Sequence, residues 1–205
     1  MSFTAKDVQS LREKTGVGMM DCKKALTEAN GDMDKAVELL REKGLAAAEK
    51  KAGRIASEGL IACYYDGKAA AMVEVNSETD FVAKNADFQA FVQSVAETAA
   101  KSNPADLAAL MNATLAGSSD TVTEALREKI LTIGENLSVR RFYRAEGVIA
   151  TYIHGGGRIG VITEFEADDA VANTEAFAEL GKDISMQIAA MNPQYLSRDT
   201  VDPAV

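Results

Sequence analysis

"IACYYDGKAAAMVEV", residues 61–75, decides the fold. Two strand-like runs, "LIACYY" and "AAMVEVN", flank Asp66-Gly67, a pair whose backbone preferences suit a tight turn, so the stretch reads as a β-hairpin. The pattern returns as "IATYIHGGGRIGVITEF", residues 149–165. The segment after the hairpin is repeated as well. "DFQAFVQSVAETAAKSNPADL" recurs as "NTEAFAELGKDISMQIAAMNPQYL", so that Phe88 matches Phe177, Pro104 matches Pro193 and Leu107 matches Leu196 at one constant offset. In the first copy Phe88, Phe91, Val92, Val95 and Ala99 share one stripe of a long helix that stops near Asn103-Pro104. Repetition of a whole hairpin-plus-helix unit implies two similar α+β halves.

The halves are unequal. The first continues into "TVTEALREKILTIGENLSVRRFYRAEG", a capped helix followed by a strand rich in arginine and aromatics, and the second reaches Val205 with no counterpart. A sheet short of one strand leaves an unpaired edge and an uncovered apolar face. The expectation is that a second copy, making a homodimer, or further chain beyond Val205 covers it.

Upstream of the hairpin the periodicity is helical. Thr4 is placed to cap a helix with Asp7 at its third position and Val8 and Leu11 inward, stopped at Gly16 and Gly18. Cys22, Ala25, Leu26 and Ala29 mark one face of a second helix that ends at Asn30-Gly31. Asp32 caps a third, with Met33, Ala36, Val37 and Leu40 inward and Gly44 as its stop. The alanine-rich, charged "LAAAEKKAGRIASEG" then suits a helical connector better than a core element. The predicted organisation is α+β: a three-helix module over 1–45, a linker helix over 46–58, a first core half over 59–147 and an incomplete second half over 148–205.

Composition narrows the function. Of 205 residues, 47% are apolar and 26% charged, ordinary values for a globular chain. No run is long and apolar enough to span a membrane, and "MSFTAKDVQS" lacks the apolar stretch of a secretion signal, so a cytoplasmic protein is expected. Residues 1–58 carry 11 Lys+Arg against 10 Asp+Glu, leaving a net charge of about -10 on the remainder, out of -9 overall. Such a surface repels phosphate backbones, which argues against direct nucleic-acid binding and for a protein partner.

Catalytic readings find little support. Cys22, Cys63 and the single His154 are too few for a disulfide framework or a four-ligand zinc site. His154 beside Gly155-Gly156-Gly157 reads as a hydrogen-bonder near a turn, and because the triple glycine runs into a strand rather than a helix it is a hairpin turn and not a phosphate cradle. Asp168-Asp169 has no metal-ligand spacing. No cofactor is expected.

Two places bear on binding. Met19 and Met20 are adjacent on a helix, about 100° apart, so they cannot both face the small core; one is expected to join it and the other to stand exposed. Phe81, in "ETDFVAKN" (78–85), has two readings. On one unbroken helix it lies seven residues before Phe88 and joins the buried stripe. If Thr79 and Asn85 cap separate helices, the phase argument lapses and Phe81 is free to face outward.

"LREKTGVGMMDCKKALTEANGD", "ETDFVAKN", "IGENLSVRRF" and "YIHGGGRIGV", in this order, resemble the bacterial elongation factor Ts family, the nucleotide exchange factors of elongation factor Tu. The resemblance covers nearly the whole chain. It implies that the N-terminal module is of the ubiquitin-associated (UBA-like) type and that the partner is elongation factor Tu. Thr79, Asp80, Phe81 and Val82 match the turn that family members insert into the partner's GTPase domain to dislodge magnesium. Leu11, Arg12, Met19 and Met20 match the module's contact with that domain, and Ile133, Gly134 and His154 match core positions at or near the partner. The rival is a UBA-type interaction module on an unrelated scaffold, an account that leaves "ETDFVAKN" unexplained.

Overall fold

The computed structural model describes residues 3–202. Three helices, α1 (Ala5–Thr15), α2 (Met19–Glu28) and α3 (Met33–Lys51), open the chain. Thr4 and Asp7 form a reciprocal capping box at the start of α1, and Gly16, in the left-handed region at φ 67°, ends it. Val8 and Leu11 of α1 meet Cys22, Ala25 and Leu26 of α2 and Ala36 and Leu40 of α3 in one small apolar cluster. The helix faces are those the periodicity predicts.

The expected stop at Gly44 is not there: α3 runs through it to Lys51. The physical reason is tertiary. Gly44 sits where α3 crosses α7 (Val122–Ile133), and a β-carbon at that position would come within 3.4 Å of the Arg127 carbonyl oxygen. The glycine permits a close helix crossing rather than ending a helix. The alanine-rich connector is therefore the end of α3 and stays helical only to Lys51, short of residue 58.

Strands β1 (Glu58–Tyr65), β2 (Ala69–Ser77) and β3 (Ser138–Glu146) form an antiparallel sheet in the order β1-β2-β3. The β1–β2 turn closes where expected, with the Asp66 carboxylate accepting from the backbone N–H groups of Lys68 and Ala69 at 2.9 and 2.8 Å. Leu60, Ala62, Ala71, Val73 and Val75 face α5 (Ala86–Ser102), which lays Phe88, Phe91, Val92, Val95 and Ala99 on the sheet. Between β2 and α5 lies a single turn, α4 (Asp80–Ala83). Helices α6 (Leu107–Asn112) and α7 close this core with Leu110, Val122, Leu126 and Ile130.

The second copy is a hairpin, β4 (Val148–His154) and β5 (Ile159–Phe165), followed by α8 (Asp169–Ala172) and α9 (Glu175–Met191). It packs against the sheet face opposite α5. Gly157 and Gly160 make this approach close: added β-carbons would lie 2.8 Å from Leu60 Cβ and 2.6 Å from Met72 Sδ, and the Ile61 N–H donates to the Gly157 carbonyl at 2.7 Å. On the far side α9 covers the hairpin, with Gly181 against Ala150 and the hydroxyls of Thr163 and Ser185 2.9 Å apart. The layers are thus helix, sheet, sheet, helix.

The repeat extends to backbone detail, since α5 and α9 both end on an asparagine in the left-handed region, Asn103 and Asn192. Its cover does not. Phe91 is buried beneath α6 and α7, whereas its counterpart Leu180 is 52% exposed and Leu196, counterpart of Leu107, is 97% exposed. Phe88 is wholly buried at the centre of the first half, so Phe88→Ala is expected to cost about 3–5 kcal/mol by the transfer and cavity terms together. Urea denaturation measures this, and a loss below about 1 kcal/mol contradicts the packing described.

Candidate functional site

The site begins at the end of β2, where the chain leaves the sheet through Glu78 and Thr79 into α4. Thr79 has the extended backbone of a helix cap but makes no side-chain capping bond. Its hydroxyl donates to Glu135 Oε1 at 2.6 Å instead. Capping is done one turn later, by Asn85, whose side-chain oxygen accepts from the N–H groups of Asp87 and Phe88 at 2.9 and 3.1 Å. The helix is therefore broken between Lys84 and Ala86, and α4 turns independently of α5. Val82 points into the core at 8% exposure and Phe81 points out at 79%.

The turn is braced on all sides. Lys84 Nζ donates to Asp80 Oδ2 at 2.6 Å. That hydrogen bond, with the charge of Lys84 and a lesser contribution from Arg158, holds the Asp80 carboxyl below its ordinary range. Arg158 belongs to the β4–β5 turn, so the second hairpin reaches this end of the molecule. Phe81 and Val82 line one surface cleft of about 430 Å³ together with Ile133, Thr132, Lys129 and Gly16. Gly16 places the end of α1 beside the turn.

The expected contact residues fall into three groups. Thr79, Asp80, Phe81 and Val82 form the braced turn, and Ile133 lines the same cleft, with Gly134 next to it capping α7 in the left-handed region at φ 87°. Met19 and Met20 are 43% and 64% exposed and Arg12 is exposed on the neighbouring helix. Leu11 differs: it is wholly buried within the three-helix cluster, so its side chain offers no contact surface and instead holds the turn that carries Arg12. Both adjacent methionines face outward, and neither joins the core. His154 is exposed at the end of β4, its Nδ1 2.9 Å from the Tyr152 hydroxyl.

Sequence reasoning passes over the residues that brace the turn. Glu78, Glu135 and Asn136 carry its hydrogen bonds, and Lys129 and Thr132 line the cleft. The adjacency of Glu135 to Gly134 in "IGENL" is the one local signal; the bonds themselves join residues more than fifty positions apart.

Comparison with known proteins bears on what such a surface belongs to. Residues 78–205 match the family model of elongation factor TS. The elongation factor Ts of Clostridium kluyveri is 53% identical over 98% of this chain and 67% of its own length. That of Clostridium perfringens is 55% identical over 98% of the chain and 66% of its own length, and that of Syntrophotalea carbinolica 51% identical over all of the chain and 68% of its own. This chain thus spans about two thirds of the length of these relatives. The fold and these matches define a translation elongation factor of mixed α+β architecture. Within that class, the chain belongs to the elongation factor Ts family.

The side chains capable of covalent chemistry are muted. Burial pushes the Cys63 thiol up to about 11, against a weaker opposite pull from the Thr151 hydroxyl. Burial raises Cys22 too, with the Thr15 hydroxyl opposing. Among the described residues no group of three or more His, Cys, Asp or Glu side chains is placed to hold a metal ion, and no helix is long and apolar enough to cross a membrane. At pH 8 so little of Cys63 is thiolate that iodoacetamide is expected to alkylate it roughly a hundredfold more slowly than an unfolded-peptide cysteine. Mass spectrometry of a time course reads this directly, and labelling at the peptide rate overturns it.

Proposed function

We propose that the chain is a guanine-nucleotide exchange factor that binds elongation factor Tu in its GDP form, displaces the bound magnesium and promotes GDP release. The observation that carries this is Phe81: a large apolar ring held 79% in water on a turn braced by hydrogen bonds. Leaving such a ring exposed forgoes about 1.5–3 kcal/mol of burial in the free protein, which contact with a partner recovers.

The mechanism is linkage. A GTPase that holds GDP with nanomolar affinity has roughly 12 kcal/mol of binding free energy, much of it through magnesium and phosphate contacts. A factor that binds the empty form better than the GDP form weakens GDP by the same factor, because the coupling is reciprocal. Driving the Phe81 ring among the elements that hold the metal creates that difference. Thr79, Asp80 and Val82 hold the ring in place. Arg12, Met19 and Met20 supply a second contact from the N-terminal module, the thioethers adapting to the partner's relief, and Ile133, Gly134 and His154 complete the surface. No cofactor is needed, since the work is done by differential binding. The acidic charge beyond residue 58 disfavours direct contact with nucleic acid, and the cytoplasm is where such a partner is met.

Release of labelled GDP from purified elongation factor Tu tests the proposal. The parent chain is expected to accelerate release, and Phe81→Ala to lower the maximal stimulated rate about tenfold or more while the melting temperature shifts by no more than about 2 °C, because an exposed side chain contributes little to its own fold. Unchanged stimulation by Phe81→Ala overturns the wedge. Met20→Ala is expected to raise the half-saturating concentration a few-fold and leave the maximal rate alone.

A further inference from the structure

The turn that carries Phe81 does not hold itself. It is one helical turn, Asp80–Ala83, whose cap residue makes no side-chain cap, and isolated short helices are unstable in water. Val82 anchors it in the core and Lys84 pairs with Asp80, and what ties it to the end of α7 is a pair of glutamates exchanged between two loops. Glu135, just beyond the end of α7, accepts through Oε2 from the backbone N–H groups of Glu78 and Thr79 at 3.1 and 3.0 Å, and through Oε1 from the Thr79 hydroxyl at 2.6 Å. In return Glu78 Oε1 accepts from the Asn136 N–H at 2.6 Å. Arg54 ties the same corner, its guanidinium 3.4 Å from Glu78 Oε1 and its carbonyl accepting from Asn136 Nδ2 at 2.8 Å. Each carboxylate thus gathers main-chain donors of the other's loop, in hydrogen bonds that the carboxylate charge strengthens.

We propose that Glu135 is the positioning residue of the exchange reaction: through this clasp it locks the Phe81 turn to the Ile133-Gly134 end of α7, so that the two contact segments move as one body. The role rests on the reading of Phe81 as the wedge. Glu135 itself need touch no part of the partner. A ring meant to displace the elements that hold a metal must be stiffer than those elements, and without the clasp the insertion strain is spent in bending α4 away.

The test uses the parent chain, which contains no tryptophan, so that Phe81→Trp places a unique indole on the turn, excited selectively beyond the tyrosine absorption band. Adding Glu135→Ala to that variant is expected to lower the indole's steady-state anisotropy, and adding Glu135→Gln to preserve it, because the amide oxygen still accepts the two backbone N–H groups and its NH₂ faces the Thr79 hydroxyl. In labelled GDP release, Glu135→Ala is expected to lower the maximal stimulated rate about tenfold with a shift below about threefold in the half-saturating concentration, and Glu135→Gln to stay within about threefold of the parent. Combined with Phe81→Ala, Glu135→Ala is expected to cost nothing further, since it acts only through the ring. Unchanged anisotropy, or losses that multiply in the double variant, overturn the clasp. If Phe81→Ala alone leaves release unaltered, the wedge reading fails and the anisotropy still decides whether Glu135 immobilises the turn. Should circular dichroism show Glu135→Ala unfolded, Thr79→Val, which removes one of the three bonds to Glu135, is expected to move anisotropy and rate in the same direction by smaller amounts; no movement in either overturns the proposal.

Discussion

A single capping residue determines which way the molecule's most exposed aromatic faces. The Asn85 side-chain oxygen takes the N–H groups of Asp87 and Phe88 and so starts α5 at Ala86. A continuous helix through this point sets Phe81 seven residues ahead of Phe88, nearly in phase with a buried stripe. The break resets the phase. Val82 becomes the residue that plugs the core, and Phe81 is left on the outside of a turn whose orientation must come from elsewhere. The exposed ring results from that interruption.

How far the sequence reveals this depends on the range of the interaction concerned. The Thr4–Asp7 capping pair, the Asn85 cap, the Asp66-Gly67 turn and the helical stripes are local, and they are read correctly because partners lie within a few residues of one another. The repeat carries the reading further, since it places two hairpin-plus-helix units without any knowledge of how they meet. Where two distant segments touch, local reasoning misassigns the residue between them. Gly44 looks like a helix stop and is the crossing point of α3 over α7. Leu11, which only the resemblance offers as a contact residue, is buried in its own cluster, while Met19 and Met20 both escape the core that one is expected to join. Glu135 has no local signal beyond its place after Gly134, because its partners are fixed only once the β2 exit and the α7–β3 loop are brought side by side.

The second hairpin shows the same logic in glycine. Its triple glycine is legible as a turn, and residues 155–157 do take positive φ. What is not legible is the second demand on Gly157, whose α-carbon must also lie against Leu60 and Ile61, or the demand on Gly160, which leaves room for Met72. Any side chain at these positions lifts the hairpin from the first sheet. Close docking of the two sheets brings Arg158 toward Asp80, so the second half of the repeat contributes charge to the end of the molecule occupied by the Phe81 turn.

Helix α7 is the element shared by every part of that end. Ile130 is buried in the core of the first half, and Leu131, the next residue, packs against the cluster of the three-helix module. Gly16 lies against Glu128 and Thr132 of the same helix, and Arg41 of α3 reaches Asp120, just before α7, at 2.7 Å. At its far end come Ile133, Gly134 and the Glu135 clasp. A helix gripped by two hydrophobic clusters resists bending because either displacement opens a void in a close-packed interior. The exposed Met19 and Met20 and the exposed Phe81 ring therefore sit on segments that both rest on α7.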